Sequence, residues 1–181
     1  MTTSKLLAAA CAVALSVSLA GCKKPAPAAD PAVAAAKVSA TVKRDLALLV
    51  DSFNAKSVDQ AVSHDADEYV GMFHGAPNVH GPSEDAVMTR QQVSDPNVML
   101  AVKTDAVDVA EAGDMAVVRA TYQYTFTDPA TKAVRTEVGN WVLGYKKQAD
   151  GAYRIAWAVV SDTPPPAAPA APAAAAAPAP K

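Results

Sequence analysis

The stretch from Met115 to Asp162 constrains the fold more than any other, because its side chains alternate as they do in strands. In Ala116–Phe126 the even positions are apolar or aromatic, and the odd positions are mostly polar. This period of two is typical of an antiparallel strand with one buried face. Turn sequences at Asp128–Lys132 and Gln148–Gly151 interrupt the pattern twice. The stretch therefore predicts three consecutive antiparallel strands, at about 116–126, 136–147 and 153–161.

The chain before these strands predicts three helices and two further strands. Apolar residues recur every three or four positions in Ala34–Ala55, as in an amphipathic helix. Ser57 and Pro82 are typical of the starts of two more helices. The predicted elements are helices at 34–55, 58–66 and 82 to about 93, an isolated edge strand at 69–74, and a strand at 98–109. Helices followed by consecutive strands predict an α+β fold, with about three helices packed on one face of an antiparallel sheet.

The first 21 residues predict export rather than a folded element. The apolar run from Leu6 to Leu19 is too short to span a bilayer as a helix and fits a secretory signal. It ends in Leu19-Ala20-Gly21-Cys22, which resembles a bacterial lipobox, in which the cysteine becomes the lipidated first residue of the mature chain. The alternative is an ordinary signal or an anchor helix that happens to contain a cysteine.

We therefore expect an exported protein, anchored in the bacterial cell envelope by a lipidated Cys22. Lys23 rather than Asp follows that cysteine, which favours the outer membrane, with the domain facing the periplasm. Cys11 lies in the signal and is the other of two cysteines, so the exported domain would contain neither a disulfide nor a cysteine metal site.

Composition divides the rest of the chain. Residues 22–32 are rich in Ala and Pro and predict a tether after the signal at 1–21. Residues 163–181 predict a disordered tail, since Pro164–Lys181 holds 7 Pro and 10 Ala. The domain between them, 33–162, carries 12 Lys and Arg against 17 Asp and Glu, a net charge of −5 with neutral His. It has no basic run with interleaved aromatics, so we expect no nucleic-acid partner.

Four segments of the domain carry a family resemblance. They are Phe53–Asp59 between two predicted helices, Asp65–Val70 at the turn into the first strand, Gly81–Ala86 at the start of the third helix, and Asp150–Ile155 in the last hairpin, followed by Trp157. In this order they resemble motifs of the nuclear-transport-factor-2-like superfamily, in its SnoaL-like and ketosteroid-isomerase-like bacterial branch. The resemblance implies a cystatin-like cone: a strongly curved antiparallel sheet wrapped on helices, with a cavity between them. It also implies dimers, as in many members.

A pocket can be placed on the sheet if the turns are short. A four-residue loop pairs Lys147 with Ala152 and puts Asn140 on one face with Trp157. A five-residue turn at 128–132 adds Tyr122 to that face. We therefore predict a ligand pocket lined by Phe73, Tyr122, Asn140 and Trp157. The alternative is that this face is plain core. In the same register Trp141, Leu143 and Tyr145 point outward, where a homodimer partner could cover them.

Carrying over the isomerase residues argues against its reaction. The resemblance places the position of the general base at Phe73 and that of the oxyanion-hole tyrosine at Leu49, neither of which can transfer a proton. The protonated acid falls at or near Asn140. His74 and Asp67 are the weak alternative catalytic residues, and strand alternation would point His74 away from the cavity. The spacing of His64, His74 and His80 matches no ligand motif, so we expect no metal and no cofactor.

Three functions remain open at this point. The first is a non-catalytic lipoprotein domain that holds a small apolar ligand. The second is a SnoaL-like isomerase, cyclase or hydrolase that acts on a small hydrophobic substrate. The third is an assembly protein whose sheet binds a protein partner. The fold alone cannot decide among them, because it hosts many functions.

Overall fold

The structure, a computed structural model, describes residues 30–163. The elements are α1 (Pro31–Asn54), α2 (Val58–Val62), β1 (Asp65–Phe73), β2 (Val79–His80), α3 (Gly81–Val93), β3 (Met99–Val109), β4 (Met115–Thr127), β5 (Val134–Lys147) and β6 (Tyr153–Asp162). The predicted signal at 1–21, the lipidation site Cys22, the tether up to residue 29 and the tail from residue 164 lie outside the described residues. Within residues 30–163, no helix is both long and apolar enough to cross a membrane.

Helix α1 begins three residues earlier than its apolar pattern predicts. The carboxylate of Asp30 accepts a hydrogen bond from the Ala32 backbone N–H at 2.9 Å, and Pro31 fills the first helical position. These are typical N-terminal signals, and they extend the domain into the predicted tether. The apolar residues that recur every three or four positions in the predicted helix form the buried face of α1: Val38, Val42, Leu46, Leu49 and Phe53.

The six strands form one curled, unclosed sheet in the order β2-β1-β6-β5-β4-β3. Strands β3 to β6 are the predicted antiparallel series. The prediction for β1 is wrong in one respect: it is not an isolated edge strand but pairs in parallel with β6. It also starts at Asp65, so the second helix is shorter than predicted. Parallel partners far apart in sequence leave no local pattern from which to predict them.

The β4–β5 connection is one residue longer than predicted, and this reverses the face assignments. Thr127 pairs with Val134, so six residues, 128–133, form the loop. The Asp128 carboxylate accepts hydrogen bonds from Ala130 N and Thr131 N at 2.9 Å each and holds the loop in this form. A one-residue slip moves every side chain of a strand to the other face. Tyr122 consequently pairs with Gly139 and not with a residue on the face of Asn140.

The β5–β6 hairpin also departs from the predicted register. Lys147 pairs with Tyr153 rather than with Ala152. Farther along, Tyr145 pairs with Ile155 but Gly144 pairs with Trp157, so the hairpin contains a β-bulge with one extra residue. The bulge puts Ile155 on the inner face and Trp157 on the outer face. There the Trp157 ring covers Gly144, where an added Cβ would lie 2.0 Å from the ring.

The core lies between the inner face of the sheet and α1. Its most buried large side chains are Val42, Val118, Leu143, Tyr145 and Ile155. Leu143 and Tyr145, which the predicted register put on the outer face, are therefore inside. The α+β prediction of a curved sheet packed on helices is confirmed.

A single amide joins the end of α1 to the sheet. The Asn54 side chain donates to Leu100 O and accepts from Leu100 N, both at 2.8 Å. Both of its polar atoms are used, as a peptide group would use them. The two bonds fix β3 against the C-terminal end of the helix.

We predict that Asn54→Asp destabilises the domain by about 1–3 kcal/mol, because the donor to Leu100 O is replaced by an oxygen that repels it. The measurement is urea unfolding at pH 7. Asn78→Asp, in an exposed loop, is the matched control and should change little. Equal losses in both variants would contradict a specific role for the Asn54 clamp.

Candidate functional site

A cavity of about 290 Å³ lies between the inner face of the sheet and the helices. Its wall is mainly apolar, and its aromatic members are Phe53, Tyr69, Phe73, Tyr122, Tyr124, Phe126 and Trp141. Its polar members are Asp65, His74, Asp85, Thr89, Gln92 and Glu137. An apolar cavity with a few placed polar groups is the usual composition of a small-molecule site.

The strand register brings the aromatic side chains together. Tyr122 and Tyr124 lie on the same face of β4, and their partners on β5 are Gly139 and Glu137. Gly139 leaves the space that the Tyr122 ring occupies, since an added Cβ would lie 2.6 Å from that ring. Trp141 continues the same face of β5. The cavity is thus built on the face opposite to that of Asn140.

Two carboxyl groups meet inside this cavity. Asp65 stands at the start of β1 and is 7% exposed, and Asp85 projects from the second turn of α3 within hydrogen-bonding reach of it. The Thr89 hydroxyl, one turn farther along α3, donates to Asp85. Apart from Asp85, no group of the described residues bonds Oδ2 of Asp65. Two buried carboxylates this close cannot both ionise, so the pair shares a proton.

Burial and the neighbouring charge of Asp85 raise the pKa of Asp65 to about 8. Burial also raises the pKa of Asp85, whereas its hydrogen bonds from Asp65 and Thr89 act in the opposite direction. Asp65 is therefore the member that carries the proton at neutral pH, and Asp85 accepts it as a hydrogen bond.

Tyrosines and a second acid–base pair surround the two carboxyls. Burial raises the pKa of Tyr69 and of Tyr145, and the negative charge of nearby aspartates adds to the effect. Asp45 on α1 lies close to Tyr145 and bonds the His64 ring at 2.7 Å. Its carboxylate contributes to the raised pKa of Asp65.

A second polar group lies at the edge of the cavity. His74 Nε2 is 2.9 Å from Glu137 Oε1, and the Tyr122 hydroxyl donates to the same oxygen. Burial, followed by this bond to Glu137, raises the pKa of Tyr122. Tyr122 thus stays a neutral donor while Glu137 accepts from two sides. A histidine oriented by a carboxylate is a common arrangement for proton transfer.

The structure brings together two of the four predicted pocket residues. Phe73 and Tyr122 line the cavity, and so does Leu49. Asn140 and Trp157 do not, because the longer β4–β5 loop and the β6 bulge put them on the outer face. Asn140 is exposed there and pairs with Ser161 on β6. Ligand binding by Phe73 and Tyr122 stays a prediction.

The two weak catalytic candidates separate. His74 lines the cavity although strand alternation predicts otherwise, because it follows the end of β1 at Phe73. Asp67 is exposed and lies outside the cavity. Within residues 30–163, no three His, Cys, Asp or Glu residues group as metal ligands. The absence of a metal stays a prediction for the protein.

Sequence reasoning missed Asp65, Asp85 and Glu137. One signal was available: Asp85 lies one turn before Thr89 and two before Val93, which are the buried residues of α3. For Asp65 the signal was absent, because a register shift between Asp65 and Val70 breaks the alternation along β1.

The sequence matches no family model, and comparison with curated proteins gives no match. Solved structures do match. A ketosteroid isomerase-like protein from Erwinia carotovora atroseptica is 23% identical with a TM-score of 0.60, over 70% of this chain and 96% of that one. An NTF2-like protein with a cystatin-like fold from Novosphingobium aromaticivorans is 11% identical with a TM-score of 0.58, over 69% and 81%. A hexachlorocyclohexane dehydrochlorinase, LinA Type2, is 10% identical with a TM-score of 0.65, over 78% and 97%.

These likenesses define the class: the domain has the cystatin-like, NTF2-like fold that its sequence motifs predict. At such low identities they establish the fold and leave the function to the site itself.

We predict that the free energy of unfolding falls as pH rises from 5 to 8, and that the Asp65 carboxyl group accounts for up to about 4 kcal/mol of this fall. Over this range the unfolded chain has already lost the Asp65 proton, because its ordinary pKa is 3.8, whereas the folded domain retains it because its pKa is about 8. Rising pH therefore favours the unfolded state. Asp65→Asn should remove this slope and be the more stable protein at pH 8.

The measurement is urea unfolding at pH 5, 6, 7 and 8 for the wild type and both variants. The control is Asp67→Asn, which removes an exposed carboxylate of the same strand and should keep the wild-type slope. A wild type and an Asp65→Asn variant with parallel pH profiles would show that Asp65 is ionised at neutral pH in the folded domain.

Proposed function

We propose that this protein is an envelope lipoprotein whose domain binds a small, largely apolar ligand without transforming it. The observation that carries the proposal is the cavity of about 290 Å³ with its mainly apolar, aromatic wall. A cavity that is not filled by the protein's own side chains costs stability. Its retention beside a well-packed core favours a binding role over an assembly role.

The side chains at two positions where the isomerase resemblance implies catalytic groups support the non-catalytic part of the proposal. Phe73 and Leu49 stand in the cavity wall where the isomerase resemblance implies a base and a hydrogen-bond donor. Neither side chain can move a proton. Substrate turnover by the isomerase route would need another base.

His74 is that other base in a second candidate function, a SnoaL-like enzyme that acts by proton transfer. Its hydrogen bond to Glu137 at the cavity edge is the observation that favours it. The carboxylate would hold the imidazole in one orientation. The two candidates differ in whether a bound molecule leaves the cavity changed.

We also propose a homodimer through the outer face of the sheet. The side chains on that face differ from Trp141, Leu143 and Tyr145, which the sequence predicted there. The outer face of the sheet presents Val138, Val142, Trp157 and Val159, and two of these, Val138 and Val159, are among the exposed large apolar residues. A second copy that packed on this face would cover them.

We predict that Ala76→Trp abolishes binding of a neutral apolar probe, 1-naphthalenemethanol. Ala76 is exposed and lies at the cavity, so an indole there should block entry with little effect on the core. Binding is measured by calorimetry on the mature chain. Ala112→Trp, at an exposed turn away from the cavity, is the matched control and should bind like the wild type.

Turnover is tested by incubating the mature chain with a naphthyl ketone in D₂O. Mass spectrometry then measures how much deuterium the ketone has taken up. We expect the ketone to be recovered without deuterium at its α-carbon beyond the uncatalysed level. Deuterium uptake that disappears in His74→Gln would overturn the non-catalytic proposal and support the enzyme. Unaltered probe binding in Ala76→Trp would contradict the cavity as the binding site.

Anchoring is predicted to depend on Cys22. Replacing it with Ser removes the site of lipidation, and several acyl chains together are what makes such anchoring stable. Cells that produce Cys22→Ser should yield the protein in the soluble envelope fraction, whereas the wild type requires detergent and fractionates with the outer membrane. Cys11→Ser is the control. Retention of both variants in the membrane pellet would refute the lipoprotein proposal.

A further inference from the structure

The carboxyl pair in the cavity is not explained by the binding of a purely apolar ligand. Burying carboxyl groups costs free energy unless their hydrogen bonds are satisfied. Asp65 is 7% exposed and lines the cavity, and apart from Asp85 no group of the described residues bonds its Oδ2. The structure therefore places two carboxyl groups in the cavity wall that only each other and the Thr89 hydroxyl satisfy.

The charges around the cavity have one sign. Three carboxyl groups line it, those of Asp65, Asp85 and Glu137, against one histidine, His74. No Lys or Arg among residues 30–163 lines it. Such a lining favours cations and disfavours carboxylates and phosphates.

The elements packed around the pair supply no cation to it. On α1, Asp45 is occupied by His64, and on α3, Thr89 donates its hydroxyl to Asp85. Tyr69 on β1 and Tyr145 on β5 are kept neutral by burial. The nearest cation of β6 is Arg154, and its guanidinium bonds Asp150 at 2.7 Å. Asp65 and Asp85 together carry one negative charge, and none of these elements of the described chain neutralises it.

We propose that the cavity binds compact apolar amines, with the ammonium group on Asp65 and Asp85 and the hydrocarbon body against the aromatic wall. This rests on the proposed binding function and names its ligand class. An ammonium has three donors and one positive charge, so it can donate to both carboxyl groups and neutralise the pair. A bound alcohol or ketone carries no charge and would leave the negative charge of the pair buried.

The cavity sets the size and the shape of such a ligand. About 290 Å³ lies near the lower limit of ordinary ligand sites, which admits one ring system and excludes lipids and peptides. Tyr69 and Phe73 lie on the same strand as Asp65 and also line the cavity. Aromatic faces attract ammonium groups as well as hydrocarbon.

Proton release follows from this arrangement. In the empty cavity Asp65 holds the shared proton, and an arriving ammonium makes the doubly ionised pair favourable. The proton passes to the buffer as the amine binds. The affinity for amines should then increase between pH 6 and pH 8, a range in which a primary alkylamine stays protonated.

The test compares three probes of one size on the mature chain by calorimetry: 1-naphthalenemethylamine, 1-naphthalenemethanol and 1-naphthoate. We expect the amine to bind at least 10-fold more tightly than the alcohol at pH 8, and the carboxylate to bind least. The amine's binding enthalpy should vary with the ionisation enthalpy of the buffer, as proton release requires, and that of the alcohol should not.

Variants locate the ammonium. Asp65→Asn and Asp85→Asn should each reduce amine affinity at least 10-fold and remove proton release, with alcohol binding retained. Asp67→Asn, an exposed carboxylate on the same strand, should bind the amine like the wild type. Retained alcohol binding in both cavity variants shows that they are folded.

The outcomes distinguish this inference from the proposed function. Equal affinity for the amine and the alcohol overturns the amine preference and leaves the apolar binding site in place. An amine preference that survives Asp65→Asn and Asp85→Asn also overturns it, because the ammonium then lies elsewhere. Failure of all three probes to bind contradicts the proposed function itself.

Discussion

The register of β4 against β5 is the constraint on which the rest of the structure depends. It puts Tyr122, Trp141 and Leu143 on the same inner face, and a slip of one residue would turn Trp141 and Leu143 to the face opposite Tyr122. Each such side chain contributes about 1.5–3 kcal/mol when it is buried, so the alternative register is strongly disfavoured. The Asp128 loop and the β6 bulge adapt the chain to this register. The shape of the cavity follows directly from it.

Local patterns were enough to predict most of the elements. The alternation in Ala116–Phe126 and the apolar spacing in α1 depend only on neighbours along the chain, and both elements are present. The registers were not predictable, because the length of the β4–β5 loop depends on hydrogen bonds that Asp128 makes within it. The β1–β6 pairing joins residues that are far apart in the sequence and has no local signature. A slip of one residue was sufficient to misplace Asn140.

The chemistry of the cavity was predicted less well than its aromatic wall. Asp65 and Asp85 each lie in a segment whose composition is typical of solvated turns and helix starts. Their burial arises only when α3 packs against the start of β1, which is a tertiary event. His74 and Glu137 meet in the same way, across strands that are not adjacent. The burial and the hydrogen-bond partners of such polar groups are set by tertiary packing, and the local sequence does not predict them.

The place of β6 in the sheet has a consequence for the order of folding. Because β6 lies between β1 and β5, the last strand of residues 30–163 joins the two halves of the sheet. Until it arrives, β1 and its short partner β2 are separated from the other three strands, and both flanking edges offer unpaired backbone groups. A nascent chain therefore cannot complete its core early, and its open strand edges can pair with other chains until residue 162 is available. In this fold, the sheet and its core are complete only after β6 has paired with both β1 and β5.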